Sequence, residues 1–494
     1  MTTNQKKSDP QHRGSDSKPL LAEENRWSGC RDSNPGPLAP QASALARLRH
    51  SPNYLAYTLP TSSRVSATLY AMLPSHPTRR APALCALFAF AAPLLLAQAP
   101  FYLKDGDRVV FYGDSITDQR LYTTFTESYV LTRFPTLNVA FTHSGWGGDS
   151  VSGGGGGPID LRLSRDVFPY HPTVVTIMLG MNDGRYRAFD QTIFNTYKNG
   201  FEHILDSLHA NAPNARITLI QPSPYDDVTR PPTFEGGYNA VLLRYSDYLK
   251  SLAQTRHLDL ADLNNPVTAM LRQAAATNKD DAQKILPDRV HPAAAGHLIM
   301  AAALLDAWHA PALVSEVALD VKGAAPQTKN AKVQAFRADS PTISWTTTES
   351  ALPLPIDPRD KLMDLAVKSS GIVDQLDRET LRVTGLTAAK YDLKIDGEPV
   401  GSFPAADFAK GINLATLVTP MLKQALEVHA LTLKHNNIHF FSWRSIQTGL
   451  ATDASPATKQ AAMAELDKLD NELVAEQRAA AQPRAHHFEL VPVQ

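Results

Sequence analysis

Two short blocks in this sequence hold the residue types of a nucleophile and its base. Ser115 stands in Gly113-Asp114-Ser115-Ile116-Thr117-Asp118, directly after the apolar run Val109–Tyr112. A serine beyond the carboxyl end of a parallel strand lies where open sheets bind ligands, and a helix start there favours developing negative charge. The same serine can equally be a helix cap. Asp288 and His291 stand in Pro287-Asp288-Arg289-Val290-His291-Pro292. Their spacing in a turn lets the carboxylate hold one ring nitrogen while the other takes a proton from a serine. Without such a base a serine hydroxyl is a poor nucleophile. Taken alone, Asp-x-x-His is also a helix-cap pair or half a metal site, but no second histidine–carboxylate cluster at ligand spacing accompanies it, and no metal is expected.

Two further blocks supply hydrogen-bond donors. In Gly145-Trp146-Gly147-Gly148-Asp149-Ser150 the glycines let backbone amides approach a substrate oxygen, and a fixed N–H stabilises an oxyanion without reorganising. Asn182, in Gly180-Met181-Asn182-Asp183, follows the apolar run Val174–Leu179; its amide can donate into the same crevice, or Asn-Asp is ordinary turn chemistry. A dinucleotide site does not fit, because Gly145-x-Gly147 lacks the third glycine at the expected place. The run Gly153–Gly157 reads as a flexible loop, and no P-loop lysine is present.

In this order, each at a strand end or helix start, the four blocks resemble the SGNH hydrolase superfamily, also called GDSL esterases and lipases, over about residues 106–310. The name-giving Ser, Gly, Asn and His fall on Ser115, Gly148, Asn182 and His291, and the acidic residue on Asp288. The resemblance implies a carboxylic ester hydrolase that needs no cofactor. Its triad would be Ser115, His291 and Asp288, and its oxyanion hole the Ser115 N–H, the Gly148 N–H and the Asn182 side chain. The sequence departs from the pattern at Ile116, where the family's name has Leu, and at His143-Ser144-Gly145, where many members have Asn two residues before a Gly. Gly147 therefore competes with Gly148, which is preferred because it directly precedes the polar pair Asp149-Ser150. The implied substrates are small-molecule or polysaccharide esters, acetylated carbohydrates among them, with Trp146, Tyr186 and Tyr225 as candidate stacking surfaces. An acyltransferase using the same triad is the nearest alternative. A non-catalytic carbohydrate-binding protein on a degenerate esterase fold is the alternative from another class.

The elements that must position these groups follow from the apolar periodicity. Between about residues 105 and 312 short apolar runs alternate with amphipathic stretches, the pattern of β-α units around a parallel sheet. Strands are predicted at Arg108–Tyr112, Leu137–Phe141, Thr173–Leu179, Arg216–Gln221 and His257–Leu260. Helices are predicted at Ile193–Leu208, Tyr238–Ala253, Val267–Ala276 and Ala293–Trp308. The expected fold is a three-layer α/β/α sandwich with a central parallel sheet, flavodoxin-like, over residues 100–312, followed by an α+β extension over 313–494. In the extension, Tyr391, Leu393 and Ile395 alternate with polar residues and run into Asp396-Gly397, a hairpin signal. Leu417, Met421, Leu422, Ala425 and Leu426 make an apolar helical stripe, and Met463, Leu466 and Leu473 mark a second helix. These positions read as core contacts, and the extension as a structural cap.

Composition bounds the rest. The chain has 494 residues and a formal net charge of -1, which gives no electrostatic reason to expect nucleic acid or an anionic membrane as partner. Residues 1–71 are rich in Ser, Pro, Arg and Ala without an apolar period and read as disordered or as an upstream segment outside the real start, with Met72 the initiator. Residues 72–99 read as a signal peptide: Arg79-Arg80, the apolar run Ala83–Ala97, and an Ala97-Gln98-Ala99 cleavage site. The run is short of the roughly 20 residues a helix needs to cross a bilayer. A secreted or periplasmic location without stable membrane insertion is expected. Both cysteines, Cys30 and Cys85, precede the cleavage site, so no disulfide framework or cysteine metal site is expected.

Overall fold

The computed structural model describes residues 99–450 and 452–493, so the proposed upstream segment, all of the signal peptide but its last residue, and both cysteines lie outside the described residues. The first strand, β1 (Arg108–Gly113), is buried on both faces from Val109 onward. The chain then turns into α1 (Ser115–Asp118) and α2 (Leu121–Arg133) before β2 (Ala140–Gly145). A tight two-stranded hairpin, β3 (Gly153–Gly154) and β4 (Gly157–Pro158), leads into α3 (Ile159–Asp166). The alternation continues through β5 (Val174–Met178), α4 (Gln191–Asn211), β6 (Arg216–Ile220), α5 (Tyr238–Arg256) and β7 (Asp259–Ala261), and closes with α6 (Asn264–Thr277), α7 (Lys279–Ile285) and α8 (Ala294–Ala307). The five strands pair in the order β2-β1-β5-β6-β7, every pair parallel. Helices cover both faces, as an all-parallel sheet requires. This is the expected α/β sandwich.

Two strands differ from their predicted bounds by more than one residue, each for a local reason. The second begins at Ala140 rather than Leu137, because Leu137 N–H closes a turn onto the Phe134 carbonyl (2.9 Å) and pairing with β1 starts at Arg108↔Ala140. It then runs on through Thr142, His143 and Ser144, polar residues that resemble a loop; His143 and Ser144 are buried with their hydrogen bonds satisfied. The fifth begins at Asp259 rather than His257, because His257 caps α5 in the left-handed conformation (φ +54°).

Beyond α8 the pattern becomes mostly antiparallel. β8 (Leu313–Asp320), β9 (Gln327–Lys329), β10 (Ala331–Arg337) and β11 (Ile343–Glu349) are followed by two short helices, α9 (Lys361–Lys368) and α10 (Ile372–Leu376). Then come β12 (Arg378–Thr384), β13 (Lys390–Ile395), β14 (Glu398–Pro404), α11 (Ala405–Lys410) and β15 (Ile412–Asn413). Two long helices, α12 (Pro420–Phe440) and α13 (Pro456–Ala480), precede the last strand β16 (Ala485–Pro492). One sheet has the order β10-β11-β16-β13-β14 and another β15-β12-β8-β9. Their inner faces alternate buried and exposed and share one core around Trp345, Tyr391, Leu393, Val383 and Leu490. Asp396 and Gly397 both take positive φ (+52° and +80°), the geometry of the predicted two-residue hairpin turn between β13 and β14.

Two parts of this extension return to the parallel-sheet unit. Leu354, Ile356, Met363, Ala366, Ile372 and Leu376 join its core cluster. The hairpin of α12 and α13 lies against α2, where Val428 and Ala480 meet Leu131. Past Phe440 the helix widens into a π-helical stretch, Phe441–Thr448, in which Gly449 N–H reaches back to the Arg444 carbonyl (3.0 Å).

Candidate active site

Ser115 is the first residue of α1, immediately past the carboxyl end of β1. The turn demands glycine at 113: a Cβ there would lie 2.2 Å from Thr117 Oγ1 and 2.8 Å from the Met178 carbonyl of the neighbouring strand. Asp114 caps the short helix, its Oδ1 accepting the Ile116 N–H (3.0 Å). Burial pushes the Asp114 carboxyl up to about 7. Ser115 is thereby held on a fixed corner, with its hydroxyl at the surface of the crevice.

Asp288 and His291 approach it from the turn before α8. Asp288 Oδ1 accepts the N–H groups of Val290 (3.0 Å) and His291 (2.7 Å), while Oδ2 faces His291 Nδ1 at 2.7 Å. The other ring nitrogen, Nε2, is 2.8 Å from Ser115 Oγ. Burial opposes ionisation of Asp288, but the hydrogen bonds from His291 and Val290 outweigh it and hold the carboxyl below its usual range. Both nitrogens of the ring are engaged, one with a carboxylate and one with a hydroxyl. The Asp288 side chain is 55% exposed and that of His291 36%, so both are open to water.

This turn is stapled from outside. Arg289 sits at φ +74°, and its guanidinium donates to the carbonyls of Pro231 (2.9 Å) and Asp226 (3.2 Å). Arg230 donates to those of Leu286 (2.8 Å) and Pro287 (3.0 Å). No local signal in the sequence links residues 226–231 to the Asp288 turn; the connection exists only in three dimensions.

The glycine-rich segment after β2 presents three consecutive amides beside Ser115. Gly147 N–H donates to Asp118 Oδ2 (3.2 Å) and Asp149 N–H to the Trp146 carbonyl (3.2 Å). Between them the Gly148 N–H has no acceptor among the described residues, and the Ser115 N–H is likewise free. Gly148 adopts φ +78°, a conformation that favours glycine. Asn182 lies on the far side: its Nδ2 donates to the Asp149 carbonyl (2.9 Å), and Tyr186 donates its hydroxyl to Oδ1 (2.9 Å), fixing the amide. Its second amide hydrogen remains available. The structure thus gathers Ser115, Gly148, Asn182, Asp288 and His291 at one end of the sheet.

Two expectations need correction. The run Gly153–Gly157 is a packed hairpin rather than a flexible loop: a Cβ at Gly154 would meet the Gly148 carbonyl at 2.5 Å, and one at Gly155 the Gly147 carbonyl at 2.7 Å. These glycines permit close backing of the amide-bearing segment. Trp146 is not an open stacking surface either. The Arg444 guanidinium carbon lies 3.4 Å above its ring centroid, and the Trp443 ring meets it edge-on at 5.4 Å. Tyr186, 44% exposed and 6.3 Å from the Tyr225 ring, is the accessible aromatic beside Asn182.

A second histidine–carboxylate cluster, invisible to sequence spacing, lies beneath the site. His143 contacts Thr123 Oγ1 through Nδ1 (2.7 Å) and Glu127 Oε2 through Nε2 (3.4 Å). Glu127 also accepts from His435 (2.8 Å), Gln477 (3.1 Å) and Asn436 (3.2 Å) of the α12–α13 hairpin. All of these side chains are buried.

Comparison with known proteins places this arrangement. Residues 111–299 match the GDSL-like lipase/acylhydrolase family. An acetylxylan esterase of Geobacillus stearothermophilus is 25% identical over 228 residues, covering 41% of this chain and 94% of the relative. Among solved structures, a gut microbial diltiazem-metabolizing enzyme superposes with a TM-score of 0.70 at 24% identity, covering 80% of this chain and all of the other, so the likeness of fold takes in much of the C-terminal extension. Residues 111–299 thus match the GDSL-like lipase/acylhydrolase family, and with the acetylxylan esterase relative they support an SGNH/GDSL hydrolase acting on ester bonds.

Proposed function

We propose that this protein is a secreted serine esterase that forms an acyl-enzyme on Ser115, with acetylated carbohydrates as its substrate class. The observation that carries the reading is the unbroken chain from Asp288 Oδ2 through the His291 ring to Ser115 Oγ, at 2.7 and 2.8 Å. In the reaction His291 Nε2 takes the Ser115 hydroxyl proton as Oγ adds to the ester carbonyl, and Asp288 steadies the Nδ1–H of the resulting imidazolium. The tetrahedral oxyanion takes hydrogen bonds from the Ser115 and Gly148 N–H groups and the spare Asn182 amide hydrogen. The C–O bond to the alcohol then breaks, and the alcohol leaves with the proton from Nε2. Water, deprotonated by the same nitrogen, attacks the acyl carbon and releases the acid. The exposure of His291 and Asp288 favours water over a sequestered acceptor alcohol.

Three observations support the finer parts of the reading. The relative named acetylxylan esterase supports a sugar as the alcohol. Tyr186, exposed beside Asn182, offers a ring face to a sugar at the crevice rim. The signal-peptide pattern over residues 72–99 supports export. Replacing Ser115 by Ala should lower kcat on p-nitrophenyl acetate by on the order of 10⁶, leave Tm unchanged, and abolish labelling by a fluorophosphonate. Turnover by Ser115→Ala at the wild-type rate would overturn the assignment. Release of acetate from acetylated xylan, compared with pectin and long-chain esters, tests the substrate class.

A further inference from the structure

The segment that offers the Gly148 N–H is gripped by two arginines from different parts of the chain. Arg162, fully buried in α3, holds it from within: Nη2 donates to the Ser144 carbonyl (2.6 Å) and Nε to Asp149 Oδ2 (2.6 Å). Arg444 reaches it from the π-helical stretch that follows α12. Its Nη1 lies 3.4 Å from both the Gly145 carbonyl and Asp118 Oδ1, and its guanidinium carbon lies 3.4 Å from the centroid of the Trp146 ring. The other oxygen of Asp118 is the one that accepts the Gly147 N–H. Asp118 is therefore a bridge, with Arg444 on one oxygen and the amide preceding Gly148 on the other.

Arg444 is itself held in place. Its neighbour Trp443 is buried and donates Nε1–H to Asp166 Oδ1 (2.6 Å), the carboxylate that also pairs with Arg162. The widened helix supplies the register: Gly449 N–H and Thr448 Oγ1 both return to the Arg444 carbonyl. A π-helical stretch changes which side chains face inward, and such stretches recur at functional sites. Here it turns Trp443 and Arg444 together toward the glycine-rich segment.

We propose that Arg444 is a positioning residue for ester hydrolysis: through Asp118 and Trp146 it fixes the Gly147–Gly148 amides against Ser115, making the C-terminal hairpin part of the catalytic apparatus. The role rests on the Ser115–His291–Asp288 reading. The segment contains two adjacent glycines, so its own backbone preferences do not fix it, and an amide displaced by a fraction of an ångström stabilises the oxyanion less while binding the ground-state ester about as well. The loss should fall on kcat rather than on KM.

The test compares steady-state hydrolysis of p-nitrophenyl acetate by full-length wild type, Arg444→Met, Arg444→Lys, Asp118→Ala and the Arg444→Met/Asp118→Ala double variant. Arg444→Met should lower kcat by about tenfold, well inside the range for misplacement of a catalytic group, with KM little changed. Arg444→Lys keeps a cation beside Asp118 and should recover most of that loss. The double variant should be only slightly slower than Asp118→Ala alone, well short of the product of the two losses, because the two changes share the Asp118 link and only the contact with Trp146 is separate. Wild-type kcat in Arg444→Met, a loss confined to KM, a lysine variant as slow as methionine, or multiplicative losses in the double variant would each overturn the role. Should Arg444→Met melt below the assay temperature, Asp118→Ala reads the same link, and an unchanged kcat there overturns it equally. An inert Ser115→Ala beside a fully active Arg444→Met removes only the positioning role; an active Ser115→Ala removes the triad beneath it.

Discussion

The chain Ser115–His291–Asp288 and the chain Thr123–His143–Glu127 are built from the same kinds of group, a hydroxyl, an imidazole and a carboxylate in hydrogen-bonding sequence. They differ in surroundings. The first lies on a turn at the rim of the sheet with its carboxylate more than half exposed, and its hydroxyl opens onto a crevice lined with free amides. The second is buried between α2, β2 and the α12–α13 hairpin, where Glu127 is saturated by His143, His435, Gln477 and Asn436. Access for an ester and unspent donors, rather than the connectivity of the three groups, set the first apart as the proposed reaction centre. The second is a joint, in which a buried carboxylate is stabilised by partners drawn from both parts of the chain.

An amide-for-carboxylate swap in each chain breaks or sharpens that contrast. Asp288→Asn should lower kcat by about 10⁴, since an amide can donate to Nδ1 and hold the ring in the wrong tautomer. Its cost in stability should be small, because the side chain is largely solvated. Glu127→Gln should do the reverse. Removing one partner of a buried, hydrogen-bonded charge costs about 3 kcal/mol. The expected reading is a clear drop in the urea midpoint and faster proteolysis of the α12–α13 hairpin, with kcat near wild type well below the melting temperature. A Glu127→Gln protein that kept its urea midpoint and lost turnover would make the buried chain part of the reaction and dissolve the contrast.

The same contrast explains what was legible in the sequence. The parallel sheet was readable because β1 and β5 are continuous apolar runs, and Ser115, Gly148, Asn182, Asp288 and His291 were readable because each follows a strand or precedes a helix. Helix α2 was not. From Tyr122 to Arg133 every residue is buried, on one side by α8 and on the other by the C-terminal hairpin, so it has no amphipathic stripe. Its threonines, poor helix formers, are satisfied instead by back-bonding, as in Thr126 to the Tyr122 carbonyl (2.9 Å) and Thr132 to that of Ser128 (2.9 Å). Arg444 was hidden for a related reason. Its partners Asp118, Gly145 and Trp146 lie some three hundred positions away, and the shift into π-helical register that aims it leaves no periodic mark.

The smallest expected effect isolates the charge in the joint. His435 sits between Glu127 of α2 and Asp470 of α13, at 2.8 and 3.1 Å, with His143 of β2 and His439 of its own helix also facing the cluster. Burial opposes its protonation, but the charge of Glu127 and the hydrogen bonds to Asp470 and Glu127 outweigh it and raise the imidazole to about 10. A base whose pKa is raised on folding contributes stability that is complete below its unfolded value near 6.5 and is lost as pH climbs toward about 10. Other buried groups titrate as well. His297 and His429, lowered to about 3 and about 4 by burial, cost stability as pH falls below about 6.5, and Asp114, Asp183 and Asp377, raised to about 7, do so as pH rises toward 7. Those groups act on wild type and on His435→Gln alike, so they cancel in the difference between the two stability profiles. That difference should be at its full value at and just below about pH 6.5 and shrink steadily up to about pH 10 as wild type loses its advantage. Parallel profiles across the window would mean that His435 enters the joint uncharged, and that Glu127 is held there by hydrogen bonds from neutral partners.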